Sequence, residues 1–319
     1  MHTAFTFIVC FHFSSHYRSF AMTTLTRRST TLHTYALALL LCGSANAQTL
    51  QPWMSPDVGA AWRAGFKGQG TTITVIDDFG SGNRFSGNLG TGVQRLRHGE
   101  WTLREAAMVA PSASVRSHDF TKGTSVPLAT GLNVLNLSYG MYARRGLSAN
   151  QIGWSAQERS IITDASKGLA VVSKAAGNDA VPIGSANASG NVDYLNMALK
   201  GTASAIYVGA LSSNGTPTQR ASLASYSNTA GADVAVQRQF LVVGVAGNNT
   251  GLYGTSFAAP VVTGYAAILG SKFRSATPTQ VTNQLLATAR TDTVTNYSAS
   301  RYGRGEASLS RALAPVAIR

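Results

Sequence analysis

The stretch GTSFAAPVVTG, residues 254–264, sets one serine between a glycine and a long apolar run. The run continues as YAAILGSKF to residue 273, which predicts a helix over 257–273 that is buried on most sides. Ser256 stands just ahead of that helix, so its backbone N–H points with the helix dipole toward any negative charge that develops there. Gly254 lets another chain approach the backbone closely, and Pro260 falls in the first turn, where a missing N–H costs least. A serine at a helix start is by itself most often a cap. The full pattern of small residues, proline and glycine is far more restrictive.

Working outward, apolar β-rich runs alternate with helical patterns. TTITVID (71–77), ASVRSHDF (113–120), LNVLNLSYG (132–140), LAVVSKAAG (169–177) and AIYVGAL (205–211) are predicted strands. Their near-continuous apolar character is that of strands covered on both faces, as in parallel sheets. SAQERSIITDAS (155–166) reads as a helix, and so does TPTQVTNQLLATA (277–289), where Thr277, Pro278 and Gln280 have the spacing of a capping box. RHGEWTLREAAMVAP (97–111) places His98 and Gly99 ahead of a segment with room for one short helix. The order predicts an α/β fold, one central, mostly parallel and doubly wound sheet flanked by helices. No internal repeat or linker divides the chain after residue 48. The glycines of 80–92 read as a flexible loop, because no Lys-Ser/Thr follows them as a phosphate-cradling loop requires.

The N-terminus reads as a targeting segment. Arg27 and Arg28 precede the short apolar run Tyr35 to Leu41, and Ala45-Asn46-Ala47 is a small-x-small cleavage site, so residues 22–47 are expected to be a secretory signal peptide. Residues 1–21, upstream of Met22, are expected to be an over-extended start. Residues 48–319 are then the single functional domain. Cleavage would remove Arg18, Arg27 and Arg28 and no acidic residue, lowering the formal charge from +13 to +10. Such a balance favours anionic surfaces. The basic residues are scattered, however, with Arg144-Arg145 part of their densest cluster, and neither a basic helix nor an aromatic–basic repeat appears; nucleic-acid binding is not expected. No later run is long and apolar enough to span a membrane, and a monomer is expected.

Elimination narrows the chemistry. Cys10 and Cys42 both precede the cleavage site, which leaves no thiol nucleophile and no cysteine metal ligand beyond it. Only His98 and His118 remain, and they do not have the helix-turn spacing of a zinc site. A hydrolase of the α/β type is disfavoured because the G-x-S-x-G elbow and the order Ser, acid, His are missing.

The chain resembles the subtilisin-like serine peptidases, the subtilases. GTSFAAPVVTG matches that family's nucleophile motif; TVIDDFG (74–80) is similar to its aspartate motif, and HG (98–99), followed by a helix and VAPSASV (109–115), to its histidine motif. VLNLSYG (134–140) resembles the strand that pairs with substrate, and VVSKAAGND (171–179) the stretch ending in the oxyanion asparagine. ASLASYSNTAG (221–231) and RYGRGEASLSRAL (301–313) follow in the family's order, and the likeness spans about residues 55–314. The resemblance implies a compact, secreted bacterial member with a subtilisin-like three-layer fold. It implies an endopeptidase in which Ser256 attacks the scissile carbonyl, His98 is the base, Asp77 orients it, and Asn178 with the Ser256 N–H holds the oxyanion. Substrate is expected along Ser138, Tyr139 and Gly140 and along Ala175, Ala176 and Gly177, with Tyr139 narrowing one pocket. Lys174 and Arg144-Arg145 point to acidic protein or peptide substrates. No cofactor or metal enters the chemistry; structural calcium is common in the family, with no site placed here.

Three points stay open at the level of sequence. Asp78 rivals Asp77, because Phe79 stands where the family tends to place a glycine sooner. His118 is the other histidine, but it falls on a strand. Glu100, Trp101 and Arg104 replace the small residues usual after His-Gly. Glu100 suits either the helix dipole or a place beside His98, and Trp101 suits space vacated by trimmed loops. The alternative function is a decayed subtilase fold that binds rather than cleaves. Only Gln48 to about Pro56 lies ahead of the matching part, so an inhibitory pro-domain is not expected there.

Overall fold

The apolar runs become strands because their two faces meet different layers of helices. The computed structural model describes residues 49–318, so the expected signal peptide and over-extended start lie outside the described residues. In chain order the elements are α1 (Pro56–Arg63), β1 (Thr71–Asp77), β2 (Phe85–Gly87), β3 (Gln94–Leu96), α2 (His98–Val109), β4 (Ser114–Asp119), β5 (Leu132–Leu137), β6 (Tyr142–Arg144), α3 (Ala156–Lys167), β7 (Val171–Ala175), β8 (Asn191–Asp193), α4 (Tyr194–Leu199), β9 (Ala205–Leu211), α5 (Val234–Gln239), β10 (Phe240–Gly244), α6 (Gly247–Thr250), α7 (Ala259–Lys272), α8 (Pro278–Ala287), α9 (Ala299–Tyr302) and α10 (Leu309–Leu313).

Six strands form one sheet in the order β10-β9-β7-β5-β1-β4, and every neighbouring pair is parallel. Side chains alternate across it, as the pleat requires. In β9, Ile206, Val208 and Ala210 join a core under α2, α7 and α8, while Ala205, Tyr207 and Leu211 join a second core under α3 and α4. This is the three-layer architecture the sequence predicts. Helix α7 has no polar face, because Ala259 to Ser271 are all buried. The expected cap forms, with Thr277 N donating to Gln280 Oε1 at 2.8 Å, and α3 is capped as well, Ser155 Oγ accepting from Gln157 N at 3.1 Å.

Several elements differ from expectation. ASVRSHDF is an edge strand, β4, largely exposed rather than covered; its Arg116 and His118 are the kind of residues that blunt an unpaired edge. The glycine-rich 80–92 region is not a plain flexible loop. It carries β2 and leads into β3, an antiparallel hairpin registered by Phe85 opposite Leu96. Its strands are too short to show alternation in sequence. Strand β10 and helix α1 are also additions to the expected elements, being short runs that periodicity does not separate from neighbouring loops. No helix among the described residues is long and apolar enough to cross a membrane.

Candidate active site

Parallel sheets bind ligands beyond the carboxyl ends of their strands, and Asp77 is the last residue of β1. It is fully buried, and its Oδ1 lies 2.5 Å from Nδ1 of His98, the first residue of α2. Oδ1 also accepts from Asp78 N at 2.7 Å, and Oδ2 accepts from Thr102 Oγ1 at 2.8 Å. A carboxylate bound on both oxygens cannot rotate freely, so the imidazole edge it meets is fixed as well. A carboxylate can only accept, so the contact places the Nδ1 proton of the imidazole toward Asp77. Asp78 turns elsewhere and accepts from Ser81 N at 2.8 Å and from the Ser81 hydroxyl. Of the two aspartates, Asp77 is the one that meets His98.

Ser256 lies in the 3-10 turn Thr255–Phe257 that feeds α7. The ring of Phe257 packs 5.6 Å from that of His98, centroid to centroid, which brings the serine turn against the imidazole. The turn is tied down from β5: Ser138 Oγ donates to Ser256 O at 2.9 Å, and Ser256 Oγ donates to Ser138 O at 3.2 Å. Behind them Asn136 Nδ2 donates to Ser138 Oγ at 3.0 Å, and Thr263 of α7 donates to Asn136 Oδ1 at 3.2 Å.

Asn178 follows β7. Its Oδ1 accepts from both Thr255 N, at 2.8 Å, and Thr255 Oγ1, at 2.9 Å. Its amide NH2 makes no hydrogen bond among the described residues and so is a donor in reserve beside Ser256. Gly254 has φ +124°, a conformation that favours glycine, and an added Cβ would make a tight contact with Asn178 Nδ2 at 3.1 Å. Asn228, which its sequence motif does not single out, locks this loop: its Nδ2 donates to Ala176 O at 3.0 Å and its Oδ1 accepts from Asp179 N at 3.0 Å.

The remaining expected residues divide. Gly177 adjoins the site, its N–H donating to Thr255 Oγ1 at 3.1 Å. Ser138 is tied to the serine turn, and Ala175, Ala176 and Gly140 are buried. Tyr139 does not narrow a pocket. It stacks on Phe120 at 5.5 Å and donates to Glu158 Oε1 at 3.2 Å in the core on the far side of the sheet, where burial and the Glu158 charge push its phenol well above the ordinary range. Lys174 does not face substrate either: it is 1% exposed and paired with Asp193 at 3.0 Å. Arg144 and Arg145 are exposed. His118 Nε2 bonds the Thr124 carbonyl at 3.1 Å on the edge strand.

The altered residues after His98 leave it in place. Glu100 Oε2 accepts from Arg97 N at 2.7 Å, and Oε1 pairs with Arg97 Nη1 at 3.0 Å, so it acts as a cap on α2. Trp101 is wholly buried. Glu105 is a further departure from a plain helix. It is 4% exposed, its Oε2 has no partner, and burial holds its carboxyl well above the usual range. Among the described residues no three His, Cys, Asp or Glu side chains gather as a metal site; a carboxylate cluster to fit structural calcium is not found there.

The subtilase-family profile matches residues 98–305, and the chain belongs to that family of serine peptidases. The match takes in His98, Asn178 and Ser256 and begins after Asp77, which the 2.5 Å contact attaches to His98. Among solved structures, the chain is similar to the prenylagaramide maturation protease PagA, at 20% identity over 81% of this chain and 98% of that one, with TM-score 0.52. It is also similar to a lanthipeptide protease, at 18% identity over 82% and 93%, TM-score 0.54. A third is MycP1 from the ESX-1 type VII secretion system, at 19% identity over 80% and 83%, TM-score 0.51. At these identities the likeness is one of fold. No curated protein sequence matches the chain.

Proposed function

We propose that the protein is a secreted serine endopeptidase that cleaves proteins or peptides through an acyl-enzyme. Ser256 Oγ attacks the scissile carbonyl carbon while its proton passes to Nε2 of His98. The carbonyl becomes an oxyanion held by Asn178 Nδ2 and the Ser256 N–H. His98 then gives the proton to the departing amine as the C–N bond breaks. Water repeats the sequence on the ester, and Ser256 regains its proton. Asp77 keeps the imidazole in the required tautomer and stabilises its cation, with Thr102 holding Asp77. No metal or organic cofactor takes part in this scheme.

The observation that carries the reading is the buried His98–Asp77 contact at 2.5 Å beside the Ser256 turn. The residues that favour a decayed, binding-only fold at the level of sequence, Glu100 and Trp101, occupy a cap and a core position and leave that contact intact. A fluorophosphonate probe tests it. Wild type is expected to be labelled, and Ser256→Ala and His98→Ala are not. A folded wild type that resists the probe would turn the reading back to a binding protein.

Secretion rests on residues 22–47, with residues 48–319 acting as one domain and as a monomer. Export from a bacterial host and N-terminal sequencing should give Gln48 as the first residue; retention with the full N-terminus counts against it. With Lys174 buried, a preference for acidic substrates rests on Arg144 and Arg145 alone.

A further inference from the structure

His98 sits in a triangle of rings. Phe85 lies 6.0 Å from it and Phe257 5.6 Å, with Phe85 and Phe257 themselves 6.4 Å apart. Asp77 grips the imidazole at its Nδ1 edge, and a hydrogen bond at one edge fixes the distance of a ring better than its tilt. Flanking side chains must limit that tilt, because the base has to reach both the serine oxygen and the leaving amine, and misplacement by an ångström costs about 100-fold in rate. Phe257 is fixed by the serine turn. Phe85 comes from β2, a three-residue strand of a hairpin, and an isolated two-stranded hairpin is marginal at best.

Trp101 supplies what the hairpin lacks. Its indole N–H donates to Phe85 O at 3.1 Å, and its ring lies so close to Gly87 that an added Cβ would come within 3.0 Å of it and 2.5 Å of Leu252. The hairpin is also pinned by Asn88 N to Thr250 O at 2.7 Å. Trp101 stands one helical turn after His98 on α2, so one helix carries both the base and the anchor of the ring beside it.

We infer that Phe85 is a positioning residue for His98, and that Trp101 acts on the base through Phe85. This rests on the peptidase reading of Ser256 and His98. The bulky tryptophan after the histidine is then part of how this chain aims its base, in place of the small residues that pack closely elsewhere in the family.

The test combines kinetics with a signal that needs no turnover. Phe85→Ala is expected to lower kcat up to about 100-fold, the scale of such misplacement, with KM little changed. Phe85→Tyr, which keeps the ring, should restore most of kcat. Trp101→Phe, which keeps bulk but loses the N–H, should lower kcat less, and adding it to Phe85→Ala should cost little more. Val93→Ala, at an exposed site on the same hairpin, should leave kcat unchanged. Because residues 48–319 hold only His98 and His118, nitrogen-labelled histidine resolves the low-field Nδ1 proton of His98. That resonance should broaden in Phe85→Ala and stay sharp in Phe85→Tyr. Unchanged kcat and an unchanged Nδ1 resonance in Phe85→Ala overturn the inference, as does equal loss in Phe85→Ala and Phe85→Tyr. If Phe85→Ala does not fold, Phe85→Leu takes its place: lowered kcat with a broadened Nδ1 resonance supports the inference, and no change in either overturns it. A wild type that resists the fluorophosphonate probe removes the peptidase reading, and the Nδ1 resonance still decides the positioning.

Discussion

The hydroxyl of Thr102 donates to Oδ2 of Asp77 at 2.8 Å. It has a second acceptor within reach, the carbonyl of Gly99 at 3.3 Å, but the nearer, charged oxygen makes the stronger bond. Thr102 lies one turn beyond His98 on α2, so the helix that presents His98 also holds Asp77. Thr102→Val should therefore lower kcat by about 10-fold or more, a bond to a charged group being worth about 1.5–3 kcal/mol. Thr102→Ser should keep most of it. Steady-state kinetics on both variants, with Tm alongside, separates the orienting role from a loss of folding.

Asn178 holds Thr255 through its Oδ1 and, in the proposed mechanism, the oxyanion through its amide. Asn178→Leu removes the amide donor and should lower kcat about 100- to 1,000-fold with KM little affected. It also frees Thr255, so Tm should fall modestly. A variant with normal kcat would take Asn178 out of the oxyanion site.

Trp101→Ala opens the hairpin and empties a fully buried site. The expected cost is about 3–5 kcal/mol, measured by denaturant unfolding. Stability equal to wild type would mean that the indole contributes nothing to holding the hairpin.

Glu105 makes stability fall as pH rises. Burial raises its carboxyl above the ordinary value of 4.5, so the folded state keeps a proton that the unfolded chain releases. Its contribution is fully present below about 4.5 and is lost as pH rises toward the raised value. Glu105→Gln should match wild type in Tm at pH 4 and exceed it increasingly from pH 5 to 8. A gap that stays constant with pH rules out titration of this group.

Lys174 and Asp193 form a buried pair at 3.0 Å, and Asp193 also accepts from the Met141 and Leu195 amides. Lys174→Met leaves a buried charge uncompensated and should cost about 3–5 kcal/mol. It should not alter any preference among acidic and neutral peptides, whereas Arg144→Ser with Arg145→Ser should reduce it. Peptide-library cleavage by the two variants tells these apart.

The site is legible in sequence where a functional residue ends a strand or opens a helix. Asp77 ends β1 and His98 opens α2, while Asn178 lies in the loop after β7 and Ser256 in the turn before α7, and the order of their motifs joins them. What cannot be read depends on direction. Asp77 and Asp78 are neighbours, and only the turn beyond β1 shows that one meets His98 and the other Ser81. Lys174 stands in a strand buried along its whole length, yet its partner lies near residue 193, out of reach of any local pattern. Tyr139 has small neighbours that suggest a place in the cleft; alternation along the chain sends it to the opposite core. Thr102 carries a readable signal, a polar residue on the same helical face as His98, but its partner on β1 is invisible to local pattern. The hairpin strands and β10 are too short for periodicity to speak.

Asp77 and His98 belong to the first elements of the fold, while Ser256 sits in a turn that is placed only when α7 lies beneath the sheet and Ser138 grips it from β5. A chain emerging from synthesis thus has Asp77 and His98 long before the turn that carries Ser256. Contacts of such long sequence separation also form late. The topology therefore makes the meeting of Ser138 and Ser256, and with it the completed arrangement around His98, a property of the nearly finished chain.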